Sequence, residues 1–96
     1  MRYSDEYYYQ IVEEEYFREK LDSLREKYPR IDDVWGGICW NLARDPFSGV
    51  PVPHEVEYKI FKSTAIGPTP SFWFLYKVEE NKKIIRFISI EAVDED

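Results

Sequence analysis

Residues 71–91, SFWFLYKVEENKKIIRFISIE, predict a β-hairpin. Two runs rich in β-branched and aromatic residues flank a short polar turn at residues 79–82, and this composition is typical of paired strands. Both faces of each run are largely apolar. We therefore expect the hairpin to lie centrally in a sheet and to be partly covered on both sides.

A strand and an amphipathic helix are predicted near the N-terminus. Residues 7–12, YYYQIV, favour a strand. Over residues 13–28, apolar side chains recur at intervals of four, three and four, the spacing of one helix face. These residues are Phe17, Leu21, Leu24 and Tyr28. Pro29 is expected to end this helix.

A second helix is predicted to begin after Asp32 or Asp33, since either is a good N-cap residue. It should end before Pro46, because the residue that precedes a proline disfavours helical geometry. Its inward face is expected to comprise Trp35, Ile38, Cys39 and Leu42. The adjacent Gly36 and Gly37 weaken a helix and are interpreted as a point of close packing.

The rest of the chain completes a single small α+β domain. Residues 46–54 contain three prolines and a glycine, which predict an irregular connection. A strand at residues 56–62 and a loop at residues 65–70 come next, and then the hairpin. The predicted order is therefore strand, helix, helix, strand, strand, strand, with a sheet dominated by antiparallel pairs.

Composition bounds the class of protein. The 96 residues are 44% hydrophobic and 18% aromatic, which indicates one folded domain spanning residues 1–96. No apolar run approaches the roughly 20 residues of a membrane helix, and the first residues lack the apolar core of a signal peptide. One cysteine excludes an internal disulfide and a cysteine-based zinc site. We expect a cytoplasmic protein with no metal or other cofactor.

Charge is unevenly distributed. The net charge of −6 disfavours a general nucleic-acid binder. Residues 58–90, however, contain six Lys or Arg and two acidic residues, a local excess of +4, whereas residues 91–96 carry −4. This pattern indicates either a polarised molecule or an ordinary mixed surface.

Four short motifs resemble the RelE/ParE superfamily of toxins from toxin–antitoxin pairs. They are LARDP at residues 42–46 followed by Gly49, YKI at residues 58–60, FLYKV at residues 74–78 and FISI at residues 87–90. The resemblance covers about residues 9–91. It implies a sheet with two helices packed on one face, and a cognate antitoxin as protein partner.

The resemblance also implies an activity. In one branch of the superfamily, basic residues on the opposite, concave face bind messenger RNA in the ribosome and assist attack of a ribose 2′-hydroxyl on the adjacent phosphate. That reaction needs cations at the phosphate and groups that move protons. In another branch the same fold inhibits gyrase without cleaving RNA.

The endonuclease hypothesis assigns five candidate catalytic residues. Lys59, Lys62 and Arg86 would contact phosphate, while Tyr76 or His54 would move protons. Each also has a structural interpretation. The lysines are ordinary strand residues facing opposite sides, Arg86 pairs with Glu57 or Glu79, Tyr76 belongs to the core, and His54 is a surface residue.

The chain departs from the cleaving pattern at two places. Trp73 stands where cleaving members commonly have an arginine, and the acidic residues 91–96 replace a basic C-terminal segment. Three hypotheses are compatible with these features. The chain is a ribosome-dependent mRNA endonuclease (the leading one), a non-catalytic toxin of the gyrase-inhibitor type, or a degenerate domain that only binds a partner.

Overall fold

A computed structural model of the chain describes residues 8–93. It contains two helices and five strands, and the predicted α+β class is confirmed. In chain order they are β1 (Gln10–Glu13), α1 (Glu15–Lys27), α2 (Ile31–Arg44), β2 (Val50–Val52), β3 (Glu55–Lys62), β4 (Phe72–Glu79) and β5 (Ile84–Ala92). Tyr7, the first residue of the predicted opening strand, lies outside the described residues.

The five strands form one sheet in the order β1-β5-β4-β3-β2. β1 pairs with β5 in parallel, and the other neighbouring strands pair antiparallel. The predicted hairpin is β4 and β5, and its central position is confirmed. Its turn lies at residues 80–83, one residue later than predicted, and Lys83 adopts a positive φ of 56°.

The second helix begins earlier than its sequence signal indicated. Ile31 is its first residue and is fully buried, so packing rather than an aspartate N-cap sets the start. Asp32 and Asp33 lie in the first turn, where carboxylates are favoured by the helix dipole. Their partners are Arg25, whose Nε is 2.7 Å from Asp32, and Arg30, whose Nε is 3.3 Å from Asp33.

Both helices pack on one face of the sheet, as predicted. The core joins three residues of α1, five of α2 and seven of the β4–β5 hairpin. They are Phe17, Leu21, Leu24, Ile31, Val34, Trp35, Ile38, Leu42, Phe72, Phe74, Tyr76, Val78, Ile85, Phe87 and Ile90. The indole of Trp35 stacks on Phe74 and meets the ring of Phe87 edge-on, with centroids 5.9 and 4.7 Å apart.

The expectation that the hairpin is covered on both faces is wrong. Within residues 8–93, no helix packs on the face of the sheet opposite α1 and α2. Along β4, burial alternates, so Phe72 and Phe74 are buried whereas Trp73 is 43% exposed. Apolar residues at alternate positions therefore belong to two environments, one covered and one open.

Residues 46–54 contain an edge strand that was not predicted. β2 pairs antiparallel with β3, and Pro53 and His54 form the turn between them. His54 has a positive φ of 67°, the conformation that follows a proline in a type II turn. Pro51 is tolerated because β2 lies at the edge of the sheet.

The interpretation of Gly36 and Gly37 as a close-packing point is wrong. Both are exposed, and an added Cβ at either position would meet nothing within 4 Å. Among the described residues, neither helix is long and apolar enough to cross a bilayer.

Candidate functional site

The side of the sheet that faces away from the helices is the candidate functional surface. We call it the open face and define it by alternate residues of the central strands, since successive side chains of a strand point to opposite sides. Its members are Tyr58, Ile60 and Lys62 of β3, Trp73, Leu75, Lys77 and Glu79 of β4, and Ile84, Arg86, Ser89 and Glu91 of β5.

An apolar cleft runs across the open face. It has a volume of about 330 Å³ and is lined by Ile60, Trp73, Leu75, Ser89 and Glu91. Leu75 lies directly between Ile60 and Ser89 in neighbouring strands, so the cleft has an apolar floor. The geometry suits an apolar side chain from another molecule, because few polar groups line it.

Charges stand at one margin of this cleft. Lys62 pairs with Trp73 across the strands, and its ammonium lies 5.4 Å from the centre of the indole ring. Trp73 pairs on its other side with Glu91. A cation, an indole and a carboxylate therefore form one row across β3, β4 and β5.

Arg86 is on the open face but is held by two carboxylates. Its Nε donates to Glu79 at 2.9 Å and its NH1 group donates to Glu14 at 3.0 Å. The bond to Glu79, and then the one to Glu14, raise the pKa of Arg86 above its usual range. The same bond lowers the pKa of Glu79. The sequence analysis named Glu79 as a possible partner of Arg86. Glu14 was missed because it follows β1 and is far from Arg86 in the chain.

Tyr76 lies on the helix side of the sheet. Its side chain is fully buried, and its hydroxyl donates to the carbonyl oxygen of Pro46 and accepts from the backbone nitrogen of Gly49, each at 3.1 Å. Burial raises the pKa of Tyr76 to about 12. In this arrangement the hydroxyl holds the chain after α2 in place, and both of its contacts are to backbone groups.

Lys59 is also on the helix side, because it pairs directly with Tyr76. It is 8% exposed, and its ammonium lies 3.5 Å from the carbonyl oxygen of Val56 and 5.4 Å from the centre of the Phe47 ring. Lys62, three residues on, is exposed on the open face. The two lysines face opposite sides of the sheet, as their spacing predicted.

His54 is exposed at the tip of the β2–β3 turn. The five candidate residues therefore divide between three places. Lys59 and Tyr76 lie on the helix side of the sheet, and Lys62 and Arg86 lie on the open face. His54 lies in the β2–β3 turn at the edge of the sheet. Only Lys59 and Tyr76 are direct cross-strand neighbours.

Gly49 is a structural residue whose role sequence reasoning missed. A Cβ at this position would overlap the Tyr76 hydroxyl and lie 3.0 Å from the carbonyl oxygen of Ile60. The signal was present, because Gly49 follows the Asp45–Pro46 helix end in one of the four motifs. Nothing in the sequence connected it to Tyr76, 27 residues later.

The described residues offer few side chains that could bind a metal ion. Across residues 8–93, no three His, Cys, Asp or Glu side chains are grouped so as to hold a metal ion. Cys39 packs against the core, and burial, with the carboxylate of Glu13 adding to it, raises its pKa to about 12. A thiol with that pKa is a poor nucleophile at neutral pH.

Comparison with known proteins identifies the architecture. No protein-family model matches the sequence, and no curated protein matches it. Among solved structures, the chain is similar to one in the crystal structure of the toxin–antitoxin complex RelBE2 from Mycobacterium tuberculosis, with a TM-score of 0.68 and 18% sequence identity. The match covers 90% of this chain and 99% of the other. This chain therefore shares its fold with a chain of that toxin–antitoxin complex.

Proposed function

We propose that this chain is the toxin component of a toxin–antitoxin pair and that a cognate antitoxin protein is its partner. The fold supports this proposal, since it is shared with a chain from a toxin–antitoxin complex over almost the whole of both molecules. The four motifs of the sequence point in the same direction.

The open face carries the proposed action, which is to hold a target by contact. The supporting observation is the uncovered apolar cleft around Leu75, with Lys62, Trp73 and Glu91 in a row at its margin. Exposed apolar surface bounded by polar residues is typical of protein interaction sites, and tryptophan is prominent among residues that dominate binding energy. These features favour a non-catalytic toxin over an RNA-cleaving one.

Ribosome-dependent RNA cleavage is the second candidate. The local excess of basic residues supports it, and Lys62 with Lys77 would supply the cations on the open face. Against it, cleavage requires cations and proton-transfer groups around one phosphate. Arg86 is already engaged by Glu79 and Glu14, and Lys59, Tyr76 and His54 point elsewhere.

A cell-free translation reaction separates these two modes. We would add the purified chain and map the 5′ ends of the messenger by primer extension. Contact-based inhibition predicts an intact messenger. Defined ends within ribosome-covered codons would support the endonuclease instead, and Lys62→Gln with Lys77→Gln should then suppress them.

Growth and neutralisation test the toxin assignment itself. Induction of this chain alone should arrest growth, and co-expression of its antitoxin, sought among adjacent small genes, should relieve the arrest. The pair should also co-purify as a complex. If induction of the folded chain leaves growth unchanged, the toxin assignment is wrong.

A further inference from the structure

A second groove lies at the end of the sheet where β3 begins and β4 ends. Its volume is about 450 Å³, within the range of small-molecule sites. Its lining includes Phe47, from the connection after α2, and Asn81 and Lys82 of the β4–β5 turn. None of its lining residues lines the cleft around Leu75. Although Lys77 and Glu79 of the open face also line the groove, a ligand bound in it would not occupy that cleft.

Lys59 is one of the residues that line this groove. That residue is more than nine-tenths buried, yet its only hydrogen-bond acceptor among residues 8–93 is the Val56 carbonyl oxygen at 3.5 Å. No carboxylate of the described residues lies within ion-pair distance of it, and the Phe47 ring at 5.4 Å gives partial compensation. A buried cation without an anionic partner is costly, and an anion that reached it would be held strongly.

The carboxylates around the groove have other partners or lie on its rim. Glu57 pairs with Lys77 at 3.6 Å, and Glu79 is bound by Arg86. Glu80 and Lys82 are both exposed on the turn. Among the lining cations, Lys59 alone is buried, and no carboxylate of the described residues lies within ion-pair distance of it.

We propose that this groove binds a carboxylate group, with the Lys59 ammonium as its ion-pair partner and Phe47 and Val56 against the adjoining apolar part of the ligand. A single negative charge matches the single buried cation. A doubly charged phosphate would leave one of its two charges without a buried partner in the groove. The carboxylate belongs either to a small free acid or to an acidic side chain of a protein partner.

Titration of the ¹⁵N-labelled full chain, followed by its amide spectrum, tests this site. The probes are propionate, for a free acid, and N-acetyl-aspartate N-methylamide, for an acidic side chain. Sodium phosphate is the third probe, and chloride holds the ionic strength constant. We expect saturable shifts at Phe47, Lys59 and Asn81 with a carboxylate probe, and weaker binding of phosphate. Shifts with the aspartate derivative would show that the groove admits an acidic side chain attached to a backbone, whereas shifts with propionate alone would limit the ligand to a small free acid.

Matched variants make the result specific. Lys59→Gln should weaken carboxylate binding at least about tenfold, the equivalent of one charge-assisted hydrogen bond. Lys62→Gln, on the same strand but the opposite face, should bind like the wild type. Val56→Glu changes a side chain that is 78% exposed, so the chain should fold, and the added charge should repel the probe.

Three results would overturn the proposal. The first is the absence of saturable shifts with either carboxylate, and the second is equal loss of binding in Lys62→Gln and Lys59→Gln. The third is phosphate binding tighter than carboxylate binding. Should Lys59→Gln not fold, unchanged binding in Val56→Glu would overturn it equally.

Discussion

The hydroxyl group of Tyr76 lies 3.1 Å from the backbone nitrogen of Gly49, so a central strand fixes a loop that is 27 residues distant in the chain. The same hydroxyl donates to the carbonyl oxygen of Pro46. Because these contacts join β4 to the connection between α2 and β2, they hold the edge of the sheet against the end of the second helix.

Removal of the Tyr76 hydroxyl should destabilise the protein. Tyr76→Phe leaves the Pro46 carbonyl and the Gly49 amide without their partner, and a buried polar group left unpaired costs about 1–3 kcal/mol. Urea titration followed by circular dichroism measures the change. Tyr16→Phe, on the exposed side of α1, is the control and should change stability by less than about 0.5 kcal/mol. Equal effects of the two variants would contradict the assigned role.

Stability should also fall at alkaline pH. The pKa of Tyr76 is raised from 10.0 to about 12 in the folded chain, so the folded state holds a proton that the unfolded state releases. The resulting contribution of Tyr76 to the free energy of unfolding is fully present below about pH 10 and is lost as the pH rises to about 12. Its slope is about 1.4 kcal/mol per pH unit. Urea titrations across this range should show a steeper decline for the wild type than for Tyr76→Phe, and parallel declines would refute the linkage.

Replacement of glycine by alanine should destabilise the protein at Gly49 and stabilise it at Gly36 and Gly37. At Gly49 the new methyl group would overlap the Tyr76 hydroxyl, and overpacking of this kind typically costs about 1–3 kcal/mol. At Gly36 and Gly37 a Cβ meets nothing, so alanine should stabilise α2 by up to about 1 kcal/mol at each position. Thermal unfolding measures all three. A destabilised Gly36→Ala or Gly37→Ala would show that these positions are packed after all.

Cys39 should be unreactive in the folded chain. Its raised pKa and its packing against the core leave little thiolate at about pH 8, the range in which an unperturbed thiol begins to ionise. Reaction with a colorimetric disulfide reagent should be slow in buffer and fast in denaturant. Fast labelling without denaturant would contradict the assigned environment.

The elements with a strong local pattern were predictable. α1 follows from its apolar spacing, and the burial of Phe17, Leu21 and Leu24 agrees with it. The β4–β5 hairpin follows from two runs of β-branched and aromatic residues around a polar turn. β2 was missed because its three residues, Val50–Val52, have too little pattern of their own and depend on pairing with β3. The start of α2 was misplaced because burial of Ile31 outweighed the preference of aspartate for the N-cap.

The site was harder to predict because strand register decides which residues share a face. From sequence, Lys59 and Lys62 are near each other and Tyr76 is an aromatic residue of the next strand. The strand register places Lys59 beside Tyr76 on the helix side of the sheet, and Lys62 beside Trp73 on the open face. The pairing of Arg86 with Glu14 spans 72 residues, and no local pattern contains that information.

Growth after induction of open-face variants tests most directly whether the chain is a toxin that acts through its open face. We would count colonies for the wild type, for Trp73→Ala at the margin of the apolar cleft, and for Trp40→Ala, an indole that is 62% exposed on α2. All three would be expressed to equal levels and shown to be folded. We expect the wild type and Trp40→Ala to arrest growth and Trp73→Ala not to do so. Arrest by Trp73→Ala equal to that of the wild type, or growth that the wild type does not affect, would contradict this role of the open face.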